Sequence, residues 1–431
     1  MDRSPFDQKL KWMNLLRSKD KNFIPITIES GILEGVMQST QLINKYRIVS
    51  IALLILPISG LSIDIYVPSL PAVSNYFGVD KAAVQLTITT YMIGLGLMQL
   101  FAGGISDSYG RQKPMFYSLG IYILSTLFIP FAHNINQLLA LRFIQGATVG
   151  LTVVPMRSVF SDLFEGRELQ KMMIYSTMVW SIGPIIAPAI GGYIQHYIGW
   201  QANFYLLALY SFSIFVAAWF YLPETSQHRH PFKINAILKR YIEISLDWQF
   251  AVGVLINGLL YSFIILFSIV GPFLIQSVLG YSAIYYGHIS LLLGFAWFLG
   301  TMTNRFLIDI HIMTKTLFGL IFMLIIALIM LYVAILFPLK PMNVVLPVSI
   351  IFWTGGIIFP NYFAKNMALF PKVTGSANAL FGSFIFIIAG ISSAVGTLLK
   401  SSTDLPLICA YIIIIILCLI LHTFERVIKQ L

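Results

Sequence analysis

The residues Leu61-Ser62-Ile63-Asp64-Ile65-Tyr66-Val67-Pro68-Ser69-Leu70-Pro71 place one carboxylate deep in the first long apolar segment of the chain. Asp64 is the only one of the seventeen acidic residues that the sequence places well inside such a segment. An ionised group at the centre of a bilayer costs roughly 2.5–3.5 kcal/mol on insertion scales, so it indicates function when a partner exists. Arg142, the one basic residue predicted inside an apolar segment, is the expected partner at a similar depth.

The composition is that of an integral membrane protein. Of 431 residues, 58% are hydrophobic and 10% are charged, whereas soluble domains average about 25% charged residues. The net charge of +10 would suggest nucleic acid as a partner of a soluble protein, but here it fits basic loops on one side of a membrane. We therefore expect a lipid bilayer around the chain and no nucleic acid. Cys409 and Cys418 share the last apolar segment and do not suggest a disulfide framework.

Twelve apolar segments of about 20 residues predict an all-α protein of twelve transmembrane helices in two six-helix halves. The predicted spans are 47–71, 82–104, 114–132, 137–158, 170–195, 201–222, 248–279, 283–306, 315–337, 341–363, 374–399 and 405–424. The predicted domains are a tail (1–46), a first half (47–222), a linker (223–247), a second half (248–424) and a short C-terminus (425–431).

The distribution of basic residues predicts the orientation. If the N-terminus is cytoplasmic, 23 of the 27 lysines and arginines lie in cytoplasmic segments, as the positive-inside rule requires. We expect both termini in the cytoplasm. The basic tail is interpreted either as disordered or as a short helix on the membrane surface, and Met37 is an alternative start of translation.

The two halves repeat each other weakly. Gly103 to Asp107 ends the second span and Gly300 to Arg305 ends the eighth, while Pro68 and Pro272 lie at comparable depth in the first and seventh. Such repetition is typical of transporters built from parallel repeats.

The loop Gly103–Lys113, with the sequence GGISDSYGRQK, resembles the loop signature of the major facilitator superfamily. Gly103, Asp107, Gly110 and Arg111 match it, while Ser108 and Gln112 stand where the pattern usually has basic residues. The resemblance implies that this loop latches the two halves in one conformation. The alternative is a solvated turn that follows the positive-inside rule.

Two further motifs resemble those of exporters in this superfamily. The first is Leu141–Gly146 (LRFIQG), which carries Arg142. The alternative is an arginine that snorkels to the outer membrane surface. Gly183–Gly192 (GPIIAPAIGG) resembles the antiporter signature through Pro188, Gly191 and Gly192, with Pro184 in the same run and Ala187 in place of a glycine. A simple helix-packing face is the alternative, and it is compatible with the functional reading.

The stretch Asp64–Pro71 resembles the first-span signature of Bcr/CflA-type drug:proton antiporters. Phe359-Pro360-Asn361 and Thr374–Leu380 resemble the same subfamily, so the resemblance covers the whole chain except the tail. The candidate residues of a substrate cavity are Tyr66, Tyr91, Gln145, Trp180, Asn257 and Asn361. Each of these is also compatible with a purely structural role between helices.

These observations predict a multi-pass transporter of a bacterial inner membrane, not an enzyme, that exports small organic molecules against proton entry. Asp64 and Arg142 would carry the coupling, since a change in their separation would bind and release a proton. We expect a monomer with no metal site and no cofactor; the proton is the coupling ion, and the chain lacks a GxxxxGK[ST] loop for ATP. The alternatives are a proton-coupled importer of a small metabolite and a non-transporting receptor or scaffold. The sequence does not identify the substrate.

Overall fold

A computed structural model describes residues 45–226, 232–370, 373–399 and 402–428 of the chain. Residues 1–44 of the predicted tail lie outside this range, so both interpretations of the tail stay predictions. Cys409 and Cys418 are free thiols.

Within these residues, twelve helices are long and apolar enough to cross a membrane, which confirms the predicted fold class. In chain order, spans one to twelve are Lys45–Phe77, Lys81–Tyr109, Gln112–Phe131, Ile135–Leu163, Gly166–Tyr197, Trp200–Tyr221, Trp248–Val278, Ala283–Phe306, Ile312–Leu336, Pro341–Leu369, Gly375–Gly396 and Leu405–Ile428.

Several spans extend beyond the ends that hydropathy predicts for them. Spans two, four and ten end at Tyr109, Leu163 and Leu369, each five or six residues beyond the bounds predicted from hydropathy. Backbone hydrogen bonds from residue i to i−4 continue into the polar flanks, whereas hydropathy falls as soon as polar side chains appear.

The linker contains a helix, Ile234–Ser245, that the sequence analysis did not predict. Tyr241 and Ile244 are buried, and the Tyr241 hydroxyl donates to the Leu100 carbonyl of span two at 2.9 Å. We call the end of the bundle that carries this linker helix and the loop 103–113 the linker face, and the opposite end the far face. The two halves meet where span two packs on span eleven and span five packs on span eight.

Spans one and seven are both broken near the far face. The helix Ile58–Asp64 ends at Asp64, a 3₁₀ turn covers Val67–Ser69, and a new helix runs from Leu70 to Phe77. Pro68 has no N–H with which to bond the Asp64 carbonyl four residues earlier, which explains the break. In span seven, Pro272 is followed by a π-helical turn, Phe273–Val278.

A buried ion pair joins spans ten and twelve. Lys365 pairs with Glu425, a fully buried carboxylate that also accepts a hydrogen bond from the Tyr362 hydroxyl at 3.2 Å. The prediction that Asp64 and Arg142 are the only acid and the only base inside spans is therefore wrong. The predicted spans ended at 363 and 424, one or two residues short of these charges.

Candidate functional site

Asp64 lies at the interface between the two halves. It is the last residue of the helix Ile58–Asp64 and is 7% exposed. A Cβ on Gly60 would lie 3.7 Å from Asp64 Oδ2 and 3.2 Å from the Pro184 ring of span five. Tyr261 of span seven and Tyr286 of span eight lie within electrostatic reach of the carboxylate. The acid of the first half thus lies close enough to interact electrostatically with tyrosines of the second.

Arg142 is fully buried, so it does not snorkel to a membrane surface. Its Nη1 donates to the Ser62 carbonyl at 2.9 Å and to Gln145 Oε1 at 2.5 Å, and its Nε donates to the Thr87 carbonyl at 3.4 Å. These bonds tie span four to spans one and two.

Two tyrosine rings stabilise the same guanidinium. Its central carbon lies 4.5 Å from the ring centroid of Tyr91 and 5.1 Å from that of Tyr66. The negative faces of aromatic rings attract a cation, most strongly when water is excluded. Arg142 Nη2 has no hydrogen-bond partner among the residues that the structure describes. The rings therefore supply part of the compensation that a buried cation needs.

Asp64 and Arg142 form no ion pair within the described part of the chain. Instead, Arg142 holds the carbonyl of Ser62, two residues before Asp64, while the Ser62 hydroxyl is hydrogen-bonded to the Tyr122 hydroxyl at 2.6 Å. In this conformation the predicted partners are therefore not in direct contact. The link between the two charges runs through the backbone of span one.

The proline- and glycine-rich run of span five packs between the halves. A Cβ on Gly191 would lie 1.9 Å from the Ile65 carbonyl of span one, and a Cβ on Gly192 would lie 2.5 Å from the Ala283 carbonyl of span eight. The Pro188 carbonyl lies beside Gly287 of span eight. Only glycine permits such close backbone approach. This face of span five thus touches the residue that follows Asp64 and, at the same level, the opposite half.

The loop between spans two and three is an ion-pair cluster at the linker face. Arg111 pairs with Asp107 at 2.5 Å and with Asp162, at the end of span four, at 3.0 Å. Burial disfavours the charged guanidinium, but the hydrogen bonds to Asp162 and Asp107 outweigh this effect and raise the pKa of Arg111. Arg111 stays charged, and the loop is fixed to its own half.

Glu224 completes this cluster from the end of span six. Its carboxylate accepts from the backbone N–H of Arg111 at 2.9 Å and of Gln112 at 3.3 Å. Gly110 has φ +91°, a backbone conformation that favours glycine. A Cβ there would also lie 2.1 Å from Glu224 Oε2, so the position requires glycine. The sequence reading missed Asp162 and Glu224; both are acids just beyond predicted spans, which is the signal that could have found them.

Gly103 plays no comparable part in packing. A Cβ on Gly103 would meet nothing within 4 Å, whereas a Cβ on the neighbouring Gly104 would lie 2.3 Å from Ile237 of the linker helix. Gly104 is the glycine that lets the linker helix approach span two.

The predicted cavity residues fall into three groups. Tyr66, Tyr91 and Gln145 are fully buried around Arg142. Trp180 is partly exposed and donates from Nε1 to Ser59 Oγ at 3.0 Å. Asn257 is buried and donates to the Phe359 carbonyl at 3.2 Å, while Asn361 donates to Asn304 Oδ1 at 3.0 Å near the end of span eight. In this conformation the two asparagines join helices.

Comparison with known proteins agrees with this architecture. The model of the Major Facilitator Superfamily matches residues 52–423. A bicyclomycin resistance protein homolog of Haemophilus influenzae is 26% identical over 80% of this chain and 87% of its own. Multidrug resistance protein D of Escherichia coli is 25% identical over 81% of this chain and 88% of its own.

A solved structure shares the fold. The D-xylose-proton symporter superposes with a TM-score of 0.66 and 14% identity over 86% of this chain and 97% of its own. The bicyclomycin resistance relative confirms the resemblance to the Bcr/CflA-type transporters. The chain belongs to the Major Facilitator Superfamily, and it is a membrane transporter of small molecules.

Proposed function

We propose that the protein exports small organic molecules, drugs or related metabolites, in exchange for protons. The position of Asp64 carries the proposal: a carboxylate at the end of a broken helix, between the two halves, with no ion pair among the described residues. The printed names of the relatives, bicyclomycin resistance and multidrug resistance, support export as the direction.

In this mechanism the halves alternate access to a central site, and Asp64 carries the proton. Span five packs on the backbone directly after Asp64 through Gly191, so movement of the second half against span five would change the surroundings of the carboxylate. A buried carboxyl favours its protonated form, and an aqueous one favours its ionised form. Opening to each side in turn would therefore load and release the proton.

Arg142 acts as a positioning residue in this scheme. Its bonds to the Ser62 and Thr87 carbonyls hold the helix that ends at Asp64 against spans two and four. The proton is the only coupling ion proposed, and no cofactor is needed.

We further propose that the protein is a monomer in a bacterial inner membrane, binds no nucleic acid, and has its linker face and both termini in the cytoplasm. The distribution of lysine and arginine supports this orientation, since 23 of 27 lie in the segments that the predicted topology places in the cytoplasm.

A drug-susceptibility screen in an efflux-deficient bacterial strain tests the function, with Asp64→Asn as the inactive control. Vesicles of both orientations, loaded with a compound found in the screen, then distinguish export from import. An exporter moves the compound against an imposed proton gradient, out of the compartment that corresponds to the cytoplasm. Accumulation of the compound together with protons on the cytoplasmic side would identify an importer and overturn the proposal.

A further inference from the structure

The far face carries two reciprocal hydrogen bonds between the halves. Gln276 of span seven donates from Nε2 to the Pro68 carbonyl of span one at 2.9 Å. Gln85 of span two donates from Nε2 to the Ile269 carbonyl of span seven at 2.7 Å. Each half thus contributes one glutamine amide and one backbone carbonyl.

Both acceptor carbonyls belong to the broken parts of their helices. Pro68 lies in the 3₁₀ turn Val67–Ser69 that follows the break at Asp64. In span seven, the N–H of Phe273 donates to Val270, three residues back, and not to Ile269, four residues back. Both carbonyls thus lie where their helices depart from regular α-helix geometry, and each accepts a hydrogen bond from a side chain of the other half.

The side chain of Gln85 lowers the stability of the folded protein at its position. It is fully buried, and its Oε1 has no hydrogen-bond partner among the described residues. A half-satisfied buried amide costs stability. A leucine could fill the same volume without that penalty, so stability alone does not explain the glutamine.

We propose that Gln85 and Gln276 form an amide clasp that closes the outer gate of the transporter and opens in each cycle. The clasp holds the far-face ends of spans one, two and seven together while the outside is closed. Outward opening would break both bonds, and water would then satisfy the amides and the carbonyls. Bonds to neutral backbone carbonyls suit such a gate because they are weak enough to break in each turnover.

The inference rests on the proposed alternating access, but not on the substrate or the direction of transport. Distance measurement between spin labels tests it in liposomes without substrate or proton gradient. The labels are placed on cysteines at Asn75 and Tyr281, which are exposed far-face positions in different halves. Cys409 and Cys418 are first replaced by serine.

Loss of either clasp residue, in Gln85→Leu or Gln276→Leu, should raise the ratio of open to closed far-face distances roughly two- to tenfold, the range of one net hydrogen bond. The double variant should raise it further. Gln85→Asn and Gln276→Asn, which keep the amide but shorten its reach, should act in the same direction and guard against misfolding of the leucine variants.

Gln99→Leu is the matched control. Gln99 is a buried glutamine of the same span two, but it lies nearer the linker face, beside Gly382 of span eleven. Its replacement should leave the far-face distances unchanged. An unchanged distribution in the folded double variant, or an equal shift in Gln99→Leu, overturns the clasp and leaves proton-coupled export intact. A normal shift without any export would overturn the proposed function alone.

Discussion

At the scale of single residues, the carboxylate of Asp64 is the group on which coupling depends. Asp64→Asn keeps the size of the side chain but removes its titratable proton. We expect the variant to reach the membrane at normal levels and to show no substrate-induced proton release, measured with a pH indicator in weakly buffered detergent solution. Normal release from Asp64→Asn would exclude Asp64 as the proton carrier.

Asp404→Asn provides a matched control for this experiment. Asp404 is also a buried acid, and burial raises the pKa of Asp404, but it lies at the far-face end of span twelve. Asparagine is as good as aspartate at the start of a helix. The Asp404 variant should release protons normally.

Replacement of Arg142 tests its positioning role. Arg142→Ala removes three hydrogen bonds and the charge, whereas Arg142→Lys keeps the charge but not the planar fork that reaches several acceptors. We expect severe loss of coupled transport in the alanine variant and a smaller loss in the lysine variant. The pH profile of transport should shift in both, because both variants disturb the bonds that hold the backbone near Asp64; the alanine variant loses the charge as well. Equal activity of all three proteins would refute the role.

The sequence predicts a functional role for Asp64 and Arg142 but not the contacts that connect them. A charge in an apolar run is a local signal, and counting residues along a helix gives its depth in the membrane. Counting does not give the direction of the side chain in the packed bundle, so the sequence could not reveal that Arg142 bonds Ser62 and lies against Tyr91 and Tyr66. It also could not reveal that the carboxylate turns towards Gly60 and Pro184.

At the scale of helices, span five is the element that joins the site to the opposite half. Gly191→Ala would place a methyl group 1.9 Å from the Ile65 carbonyl, and overpacking of this kind costs about 1–3 kcal/mol. We expect a lower melting temperature in detergent and impaired transport. Gly103→Ala, whose added methyl group meets nothing within 4 Å, should match the wild type in both measurements. If both alanine variants behave alike, the packing argument fails.

The sequence predicts the motif of span five but not its neighbours. Proline and glycine indicate a helix that permits close approach, and Pro68 and Pro272 lie at comparable depth in the two halves, but the form of each break appears only in the structure. The linker helix Ile234–Ser245 was missed because its polar surroundings resemble a loop. Its buried positions, including Tyr241, become recognisable only once span two is in place.

At the scale of the whole molecule, the twelve-span topology assigns every loop to one side. Single cysteines at His133 and Glu165, both exposed loop positions, test the orientation in the cysteine-free background. A membrane-impermeant maleimide applied to intact cells should label His133→Cys. Glu165→Cys should react only after the membrane is permeabilised. The reverse pattern would invert the proposed orientation.

The fold class follows from the twelve apolar segments of about 20 residues, because a helix of that length crosses a bilayer and satisfies its backbone hydrogen bonds internally. The ends of the helices do not follow in the same way, since they depend on polar contacts beyond the apolar segments. Arg111 with Asp162 and Glu224 is such a contact, and the buried pair of Lys365 and Glu425 is another.

The pair of Lys365 and Glu425 also has a consequence for how the protein is made. Span ten leaves the ribosome before span twelve, so Lys365 enters the membrane before its acidic partner has been synthesised. Burying a charge before its partner is present is costly, so the ion pair favours complete settling of span ten once the last helix has been inserted. The final helix thus brings the carboxylate that completes the site, and a chain cut short before span twelve lacks it.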